Sequence, residues 1–212
     1  MNCRQQLLDY GITAILRGIT PAQVSRTVEA LLAGGIQSVE ITLNTPGALK
    51  MIEQVKELYG SRMLVGAGTV LDKQAAAQAV MAGADFILSP VLDVQVIELC
   101  HAYSRASVPG VMSPTEIYTA QSAGADILKL FPAGALGPDY VRLIQGPLNG
   151  LALMGVGGIT IQNIRSFHAA GVSCFGIGSE LVNQTLLGKE DSKEITRRAR
   201  LLREEWNRTP TL

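Results

Sequence analysis

A helical segment that ends in glycine and leads into a short apolar run recurs along this chain, and it constrains the fold more than any other feature. The clearest examples are Ala33-Gly34-Gly35, Ala82-Gly83-Ala84, Ala123-Gly124-Ala125 and Ala170-Gly171-Val172. Glycine is common after the last helical turn because its backbone adopts positive φ at little cost. The repeat therefore predicts helices that alternate with short buried strands.

Hydroxyl residues precede proline where three of the helices are expected to begin, at Thr20-Pro21, Thr45-Pro46 and Ser113-Pro114. A hydroxyl can cap the free N–H groups of a first turn, and proline fits the first helical position. Eight strands are predicted between the helices, near residues 13–17, 38–44, 63–68, 86–89, 107–112, 126–131, 151–156 and 174–178.

Strands that alternate with helices pair in parallel through crossover connections. Eight such units close most naturally into a compact (β/α)8 TIM barrel, which we expect to span residues 1–212 as a single α/β domain. An open doubly wound sheet is the alternative, but the first strand is not followed by a Gly-x-Gly-x-x-Gly nucleotide turn.

Composition excludes several classes of protein. Hydrophobic residues make up 47% of the chain, enough for a large core, and 18 basic residues balance 18 acidic ones. We therefore expect no nucleic-acid or membrane partner. The three cysteines are too far apart for a disulfide framework or thiolate metal site, and with two histidines we expect no metal and no cofactor. The absence of an apolar leader favours a cytoplasmic protein.

The predicted second strand has one polar and one apolar face. Glu40 shares its face with Ser38 and Thr42, whereas Val39 and Ile41 lie opposite and suit packing against helices. The polar face should point into the barrel, where a carboxylate is costly unless it is paired or used.

Four predicted strands carry a polar residue near the carboxyl end of the inward face: Arg17, Glu40, Thr69 (on the face of Val65 and Ala67) and Lys129. Barrel enzymes keep their chemistry at that end. Each residue also has a structural interpretation. Lys129 or Arg17 could simply pair with Glu40, and Thr69 could cap the helix that begins near Asp72. The convergence of four such residues favours a site.

A lysine amine among apolar neighbours and near Arg17 should have a lowered pKa, because burial and a like charge both disfavour the ammonium form. The neutral amine can attack a ketone, and the resulting iminium accepts electrons from an adjacent breaking C–C bond. Glu40 could transfer the proton through water, and an arginine clamps a carboxylate well.

Two glycine-rich turns, 155–160 and 176–179, follow the last two predicted strands. Loops at these positions of a barrel often bind phosphate through backbone N–H groups. Simple turn formation would explain either one alone, but two consecutive glycine-rich turns favour a phosphate site.

The segment Gly124-Ala-Asp-Ile-Leu-Lys129-Leu-Phe-Pro-Ala-Gly-Ala-Leu-Gly137 resembles the Schiff-base lysine motif of the class I aldolases that cleave 2-keto-3-deoxy-6-phospho-sugar acids and 4-hydroxy-2-oxoglutarate, the KDPG/KHG aldolase family. Segment 35–43 resembles the motif around its catalytic glutamate, and segments 14–18 and 66–70 are similar to its first and third strands. The resemblance covers essentially the whole chain.

The resemblance implies a carbon–carbon lyase that releases pyruvate and D-glyceraldehyde 3-phosphate, and a homotrimer. Lys129 would form the carbinolamine and iminium, and Glu40 would move protons through a bound water. The implied substrate-binding residues are Arg17 and Thr69 for the carboxylate, Pro90 and Phe131 for the shape of the pocket, and Gly157, Gly158, Gly178 and Ser179 for the phosphate.

Two positions depart from the phosphogluconate branch of this family. Many members have arginine where this chain has Asn44, and the phosphogluconate enzymes tend to have threonine where it has Val156. Both features resemble the branch that acts on 2-keto-3-deoxy-6-phosphogalactonate, which differs only in configuration at C4. The phosphogluconate and 4-hydroxy-2-oxoglutarate substrates remain alternatives, and more distant ones are a sugar-phosphate epimerase or isomerase and a non-catalytic regulator.

Overall fold

The computed structural model describes residues 2–208, which form nine short strands and ten helices. The strands are β1 (Ile12–Leu16), β2 (Ser38–Thr42), β3 (Leu64–Gly68), β4 (Phe86–Leu88), β5 (Ala106–Val108), β6 (Gly110–Val111), β7 (Leu128–Leu130), β8 (Leu153–Val156) and β9 (Cys174–Ile177). The helices are α1 (Cys3–Tyr10), α2 (Pro21–Ala33), α3 (Ala48–Tyr59), α4 (Lys73–Met81), α5 (Val94–Ala102), α6 (Pro114–Ser122), α7 (Ala133–Gln145), α8 (Ile164–Ala169), α9 (Gln184–Gly188) and α10 (Ser192–Asn207). None of the helices in this part of the chain is long and apolar enough to cross a bilayer.

The strands form a parallel sheet in the order β5-β4-β3-β2-β1-β9-β8-β7-β6. Its end strands, β5 and β6, are separated in the chain by Pro109 alone, so segment 106–111 bonds to β4 on one side and to β7 on the other. Proline has no N–H to donate, which explains why the predicted fifth strand is interrupted. The molecule is a (β/α)8 barrel, as the sequence predicts, and not an open sheet.

Apolar side chains form two layers. The inner layer fills the barrel, and its members include Ile15, Leu64, Phe86, Leu88, Val108, Ile127, Met154 and Val156. The outer layer lies between strands and helices and includes Ala14, Val39, Ile41, Val65, Leu128 and Leu130. Leu7 of α1 belongs to the inner layer, so α1 covers the amino end of the barrel.

The strand predictions agree with the structure to within two residues at every end, apart from the interruption at Pro109. Helix α1, which precedes the first strand, was not predicted. Its start has a recognisable signal, because the side chain of Asn2 accepts a hydrogen bond from the Gln5 N–H at 2.9 Å.

Gly35, Gly83, Gly124 and Gly171 of the repeat have the expected positive φ, from +84° at Gly124 to +105° at Gly171, whereas Gly34 has φ of −89°. Thr20 and Ser113 cap α2 and α6, as predicted. The prediction for Thr45-Pro46 is wrong, because α3 begins at Ala48 after Gly47, whose φ is +78°. The Thr45 side chain is buried and bonds to another segment instead. Its hydroxyl accepts a hydrogen bond from the Gly18 N–H at 2.9 Å.

Candidate active site

Side chains of β2 and β7 alternate between the barrel interior and the surrounding helices, as the sequence predicts. Val39 and Ile41 pack in the outer layer, and Glu40 between them is only 1% exposed. On β7, Leu128 and Leu130 pack outward, and Lys129 is 5% exposed. A carboxylate and an amine therefore both lie in the barrel interior.

Strand β3 departs from the predicted orientation. Val65 and Ala67 pack in the outer layer, so the expectation that they share an inward face with Thr69 is wrong. The inward positions are Gly66 and Gly68, because a Cβ on Gly68 would lie 1.9 Å from Oε1 of Glu40. Thr69 follows the strand with φ of +56°, which breaks the alternation. Glycine on β3 makes room for the carboxylate of β2.

The Glu40 carboxyl group lacks the contacts that usually stabilise a buried charge. Its Oε2 is buried and has no hydrogen-bond partner among residues 2–208. Burial raises the pKa of Glu40 to about 7, and the positive charges of Lys129 and Arg17 oppose that rise. Such a group exchanges a proton readily near neutral pH.

The pKa of the Lys129 amine is also shifted, toward the neutral form. Burial lowers the pKa of Lys129, the negative charge of Glu40 opposes the decrease, and Arg17 adds to it. Its Nζ lies 5.1 Å from the centroid of the Phe131 ring. No hydrogen bond or ion pair joins Lys129 to Glu40 or Arg17. The simple structural pairing is thus absent, and the amine is available for nucleophilic attack.

An open cavity of about 460 Å³ lies at the carboxyl ends of β1, β7, β8 and β9. Its lining includes Arg17, Phe131, Val156, Gly157, Gly158, Gly178 and Ser179. Phe131 connects this cavity to Lys129, since its ring contacts both. The volume suits a small phosphorylated metabolite.

Two asparagines that sequence reasoning missed hold the glycine turns of this cavity. Nδ2 of Asn163 donates to the Gly158 carbonyl at 2.8 Å, and its Oδ1 accepts the Thr160 N–H at 2.8 Å. Nδ2 of Asn183 donates to the Ser179 carbonyl at 3.2 Å. Asn183 also caps α9, a position at which asparagine is a recognisable sequence signal. Both turns are therefore fixed before any anion arrives.

Glu40 and Lys129 do not line that cavity themselves, and three further sequence candidates also lie outside it. Thr69 and Pro90 are half-buried at the carboxyl ends of β3 and β4 and do not line it. The helix-cap interpretation of Thr69 fails, because Asp72 caps α4 by accepting the Ala75 N–H at 2.8 Å. Asn44 lines a separate groove of about 660 Å³ between the β2–α3 segment and α4.

Comparison with known proteins agrees with the family resemblance of the sequence. The family model for KDPG and KHG aldolase matches residues 5–198. The 2-dehydro-3-deoxy-6-phosphogalactonate aldolase of Escherichia coli K12 is 37% identical over 171 residues, which cover 80% of this chain and 83% of that protein.

Solved structures agree in fold. The native KDPGal structure superposes with a TM-score of 0.87 at 32% identity and covers 92% of this chain and 94% of its own. The KDPG aldolase of Legionella pneumophila, with pyruvate captured as a covalent carbinolamine, has a TM-score of 0.88 at 27% identity and covers 94% and 97%, respectively.

Proposed function

This chain belongs to the KDPG and KHG aldolase family, and from that membership we propose that it is a Schiff-base aldolase that cleaves a 2-keto-3-deoxy-6-phospho-sugar acid to pyruvate and D-glyceraldehyde 3-phosphate. Like its relatives it is a carbon–carbon lyase. The observation that carries the proposal is the buried Lys129 amine, which has no ion-pair partner among residues 2–208 and lies in the same barrel interior as the buried Glu40.

In the proposed reaction, Nζ of Lys129 attacks the C2 ketone to form a carbinolamine. Loss of water gives a protonated iminium, which withdraws electrons from the neighbouring carbon. Burial favours the neutral amine that this attack requires. No metal ion is needed for the electron sink, because the iminium carries the positive charge itself.

Glu40, acting through a water molecule, takes the proton of the C4 hydroxyl as the C3–C4 bond breaks. The electron pair of that bond passes into the iminium, which becomes an enamine, and the aldehyde phosphate leaves. Glu40 then returns its proton to C3 of the enamine, and hydrolysis releases pyruvate and Lys129. A pKa of about 7 suits a group that must both accept and donate this proton.

The remaining residues bind the two ends of the substrate. We assign Arg17 and Thr69 to the carboxylate, and Pro90 and Phe131 to the walls of the pocket. The phosphate would lie in the turns of Gly157, Gly158, Gly178 and Ser179, which face the same cavity as Arg17. The positions of Arg17 and Phe131 in that cavity support their assignments more directly than the half-buried Thr69 and Pro90 do.

We favour 2-keto-3-deoxy-6-phosphogalactonate as the substrate. Val156 is buried and lines the cavity, so a methyl group stands where a threonine hydroxyl could otherwise bond to the substrate. One such contact changes selectivity by about 1–3 kcal/mol. Asn44 contributes less to this argument, because it lines the separate groove. The phosphogluconate epimer and 4-hydroxy-2-oxoglutarate are the alternatives for the same chemistry.

We also propose that the enzyme is a cytoplasmic homotrimer built from single-domain subunits of residues 1–212. Exposed apolar side chains support the assembly, and several of them follow the carboxyl ends of neighbouring strands: Leu71, Val91, Val94, Met112 and Tyr118. We propose that these five side chains, called the exposed apolar cluster below, form one contact surface, since exposed apolar patches commonly mark sites of protein association.

The decisive experiment is borohydride reduction in the presence of pyruvate, followed by peptide mass analysis. We expect one pyruvyl adduct, located on Lys129. Lys129→Ala should abolish the adduct and turnover, whereas Lys50→Ala, a matched change at an exposed lysine, should retain both. Absence of an adduct from folded wild-type protein would refute the Schiff-base mechanism.

Two comparisons separate the alternatives. Equal kcat/KM values for the galactonate and gluconate epimers would contradict the preferred substrate, and Val156→Thr should shift the ratio toward the gluconate epimer. An epimerase or isomerase acting on sugar phosphates would keep its activity in Lys129→Ala, because neither reaction needs an amine nucleophile.

A further inference from the structure

Arg17 is an exposed residue just beyond β1, yet hydrogen bonds hold the backbone that follows it from two sides. On one side Nε2 of Gln184 donates to the Arg17 carbonyl at 2.9 Å. On the other the N–H of Gly18 donates to Oγ1 of Thr45 at 2.9 Å. The peptide that joins Arg17 to Gly18 is therefore bonded at both its carbonyl and its N–H.

On the Thr45 side, the hydroxyl groups of two threonines form a continuous chain of hydrogen bonds. Oγ1 of Thr45 lies 3.0 Å from Oγ1 of Thr42, and Thr42 donates to the Leu16 carbonyl at 3.4 Å. Because Thr42 donates to Leu16, Thr45 donates to Thr42 and keeps a lone pair for Gly18. Thr42 and Thr45 are 0% and 2% exposed, so few other partners could replace these bonds.

The Gln184 side is shaped by the absence of a side chain at Gly18. A Cβ there would lie 2.6 Å from Nε2 of Gln184, and the φ of Gly18 is +66°. Gln184 begins α9, the helix that follows the turn of Gly178 and Ser179. The Arg17–Gly18 peptide thus forms hydrogen bonds both to the segment after β2 and to the segment after the proposed phosphate turn.

We propose that Thr45, together with Gln184, is a positioning residue that fixes Arg17 for its contact with the substrate carboxylate. This inference rests on the proposed function, in which Arg17 binds that carboxylate. It also explains why Thr45-Pro46 does not begin a helix: the hydroxyl holds the β1 end instead of a first helical turn. The charge of Arg17 influences both Glu40 and Lys129, so its position matters to the chemistry as well as to binding.

The test is kinetic and uses isosteric variants of the full chain. Thr45→Val removes the hydroxyl and keeps the shape, and we expect it to raise the KM for the phospho-sugar acid about tenfold, because small misplacements of a binding group are costly. The kcat should change much less. The pyruvate concentration for half-maximal borohydride trapping should rise in parallel, and Thr45→Ser should restore both values.

Thr13→Val is the matched control. Thr13 lies at the opposite end of β1, is 2% exposed and shares a 2.9 Å hydrogen bond with Ser38. This variant also loses a buried hydroxyl hydrogen bond but does not touch Arg17, so its KM should stay at the wild-type value. A KM that rises equally in Thr13→Val would show general loosening of β1 and overturn the proposal.

Gln184→Met tests the hydrogen bond from Gln184, and Gln184 is exposed, so the variant should fold even if Thr45→Val does not. Because Gln184 also lines the cavity, the deciding value for this variant is the pyruvate concentration for half-maximal trapping, which involves no phosphate. The KM should rise in the same direction. Folded Thr45→Val or Gln184→Met protein with an unchanged KM would overturn the positioning role while leaving the aldolase intact. Wild-type protein that forms no pyruvate adduct and cleaves neither epimer would instead overturn the proposed function, and the positioning role with it.

Discussion

Replacing Glu40 by glutamine keeps the size of the side chain but removes its ability to accept a proton. We expect Glu40→Gln to lower kcat by about 10²–10⁴-fold, the usual contribution of a general acid–base group. Some imine should still form, because Lys129 is unchanged, so borohydride trapping with pyruvate should remain measurable. Full activity in this variant would remove Glu40 from the mechanism.

The same residue gives a pH prediction. Because burial raises the pKa of Glu40 to about 7, wild-type activity should fall as the pH drops through that value and the carboxylate takes up its proton. The residual activity of Glu40→Gln should lack this acidic limb. A pH–rate profile of kcat for both proteins checks the expectation, and an identical limb in the variant would assign it to another group.

Gly68 offers a second test of the carboxylate's position. An alanine Cβ would lie 1.9 Å from Oε1 of Glu40, so Gly68→Ala should displace that side chain and lower kcat about 100-fold. No described atom outside the local chain lies within 4 Å of a Cβ on Gly188, so Gly188→Ala is the matched control and should be active. In a Glu40→Gln background, Gly68→Ala should lower kcat by a much smaller factor, because the two changes act on one group. If Gly68→Ala lowers kcat by the same factor in both backgrounds, it does not act through Glu40.

Most secondary-structure elements were predictable from local signals, with α1 as the exception. Strand positions and helix ends follow from apolar runs and glycine caps, and the inward orientation of Glu40 and Lys129 follows from alternation. The predictions failed where tertiary contacts decide. The hydroxyl of Thr45 binds another segment instead of capping α3, and β3 turns its glycines inward to accommodate Glu40. Neither partner is close in sequence, so no local pattern could reveal it.

Helix α10 depends on a buried histidine for part of its docking. The His168 ring meets Trp206 of α10 edge-on at 4.6 Å, and Nδ1 of His168 is buried with no hydrogen-bond partner in the part of the chain that the structure describes. Burial lowers the pKa of His168 below its ordinary value of 6.5. The folded state therefore binds this proton less readily than the unfolded state does.

The resulting stability is fully present above pH 6.5 and is lost as the pH falls through the lowered folded pKa of His168. We expect the Tm of His168→Leu to fall less between pH 7.5 and pH 5 than the Tm of the wild type does, as measured by thermal unfolding. If His168→Leu and the wild type lose equal Tm, protonation of His168 does not loosen this helix.

At the scale of the whole molecule, closure of the barrel through segment 106–111 leaves no free sheet edge among residues 2–208. Edge pairing therefore offers no route to self-association, and contacts between subunits must use side chains on the outer surface. The count of eight units made closure predictable from the sequence. The exposed apolar cluster was not predictable, because it depends on which side chains the helices leave uncovered.

The proposed trimer should use that cluster. A closed ring of three subunits is heterologous, so a charge placed in either contacting surface disrupts all three interfaces at once. We expect wild-type protein to have a mass in solution of three times its 22.5 kDa chain, by light scattering after size exclusion. Leu71→Glu, at a side chain that is 55% exposed within the cluster, should shift the protein toward monomer. Met81→Glu, at a 78% exposed methionine on the far end of α4, should remain trimeric. A monomeric wild type would contradict the trimer, and a trimeric Leu71→Glu would place its interface on another face.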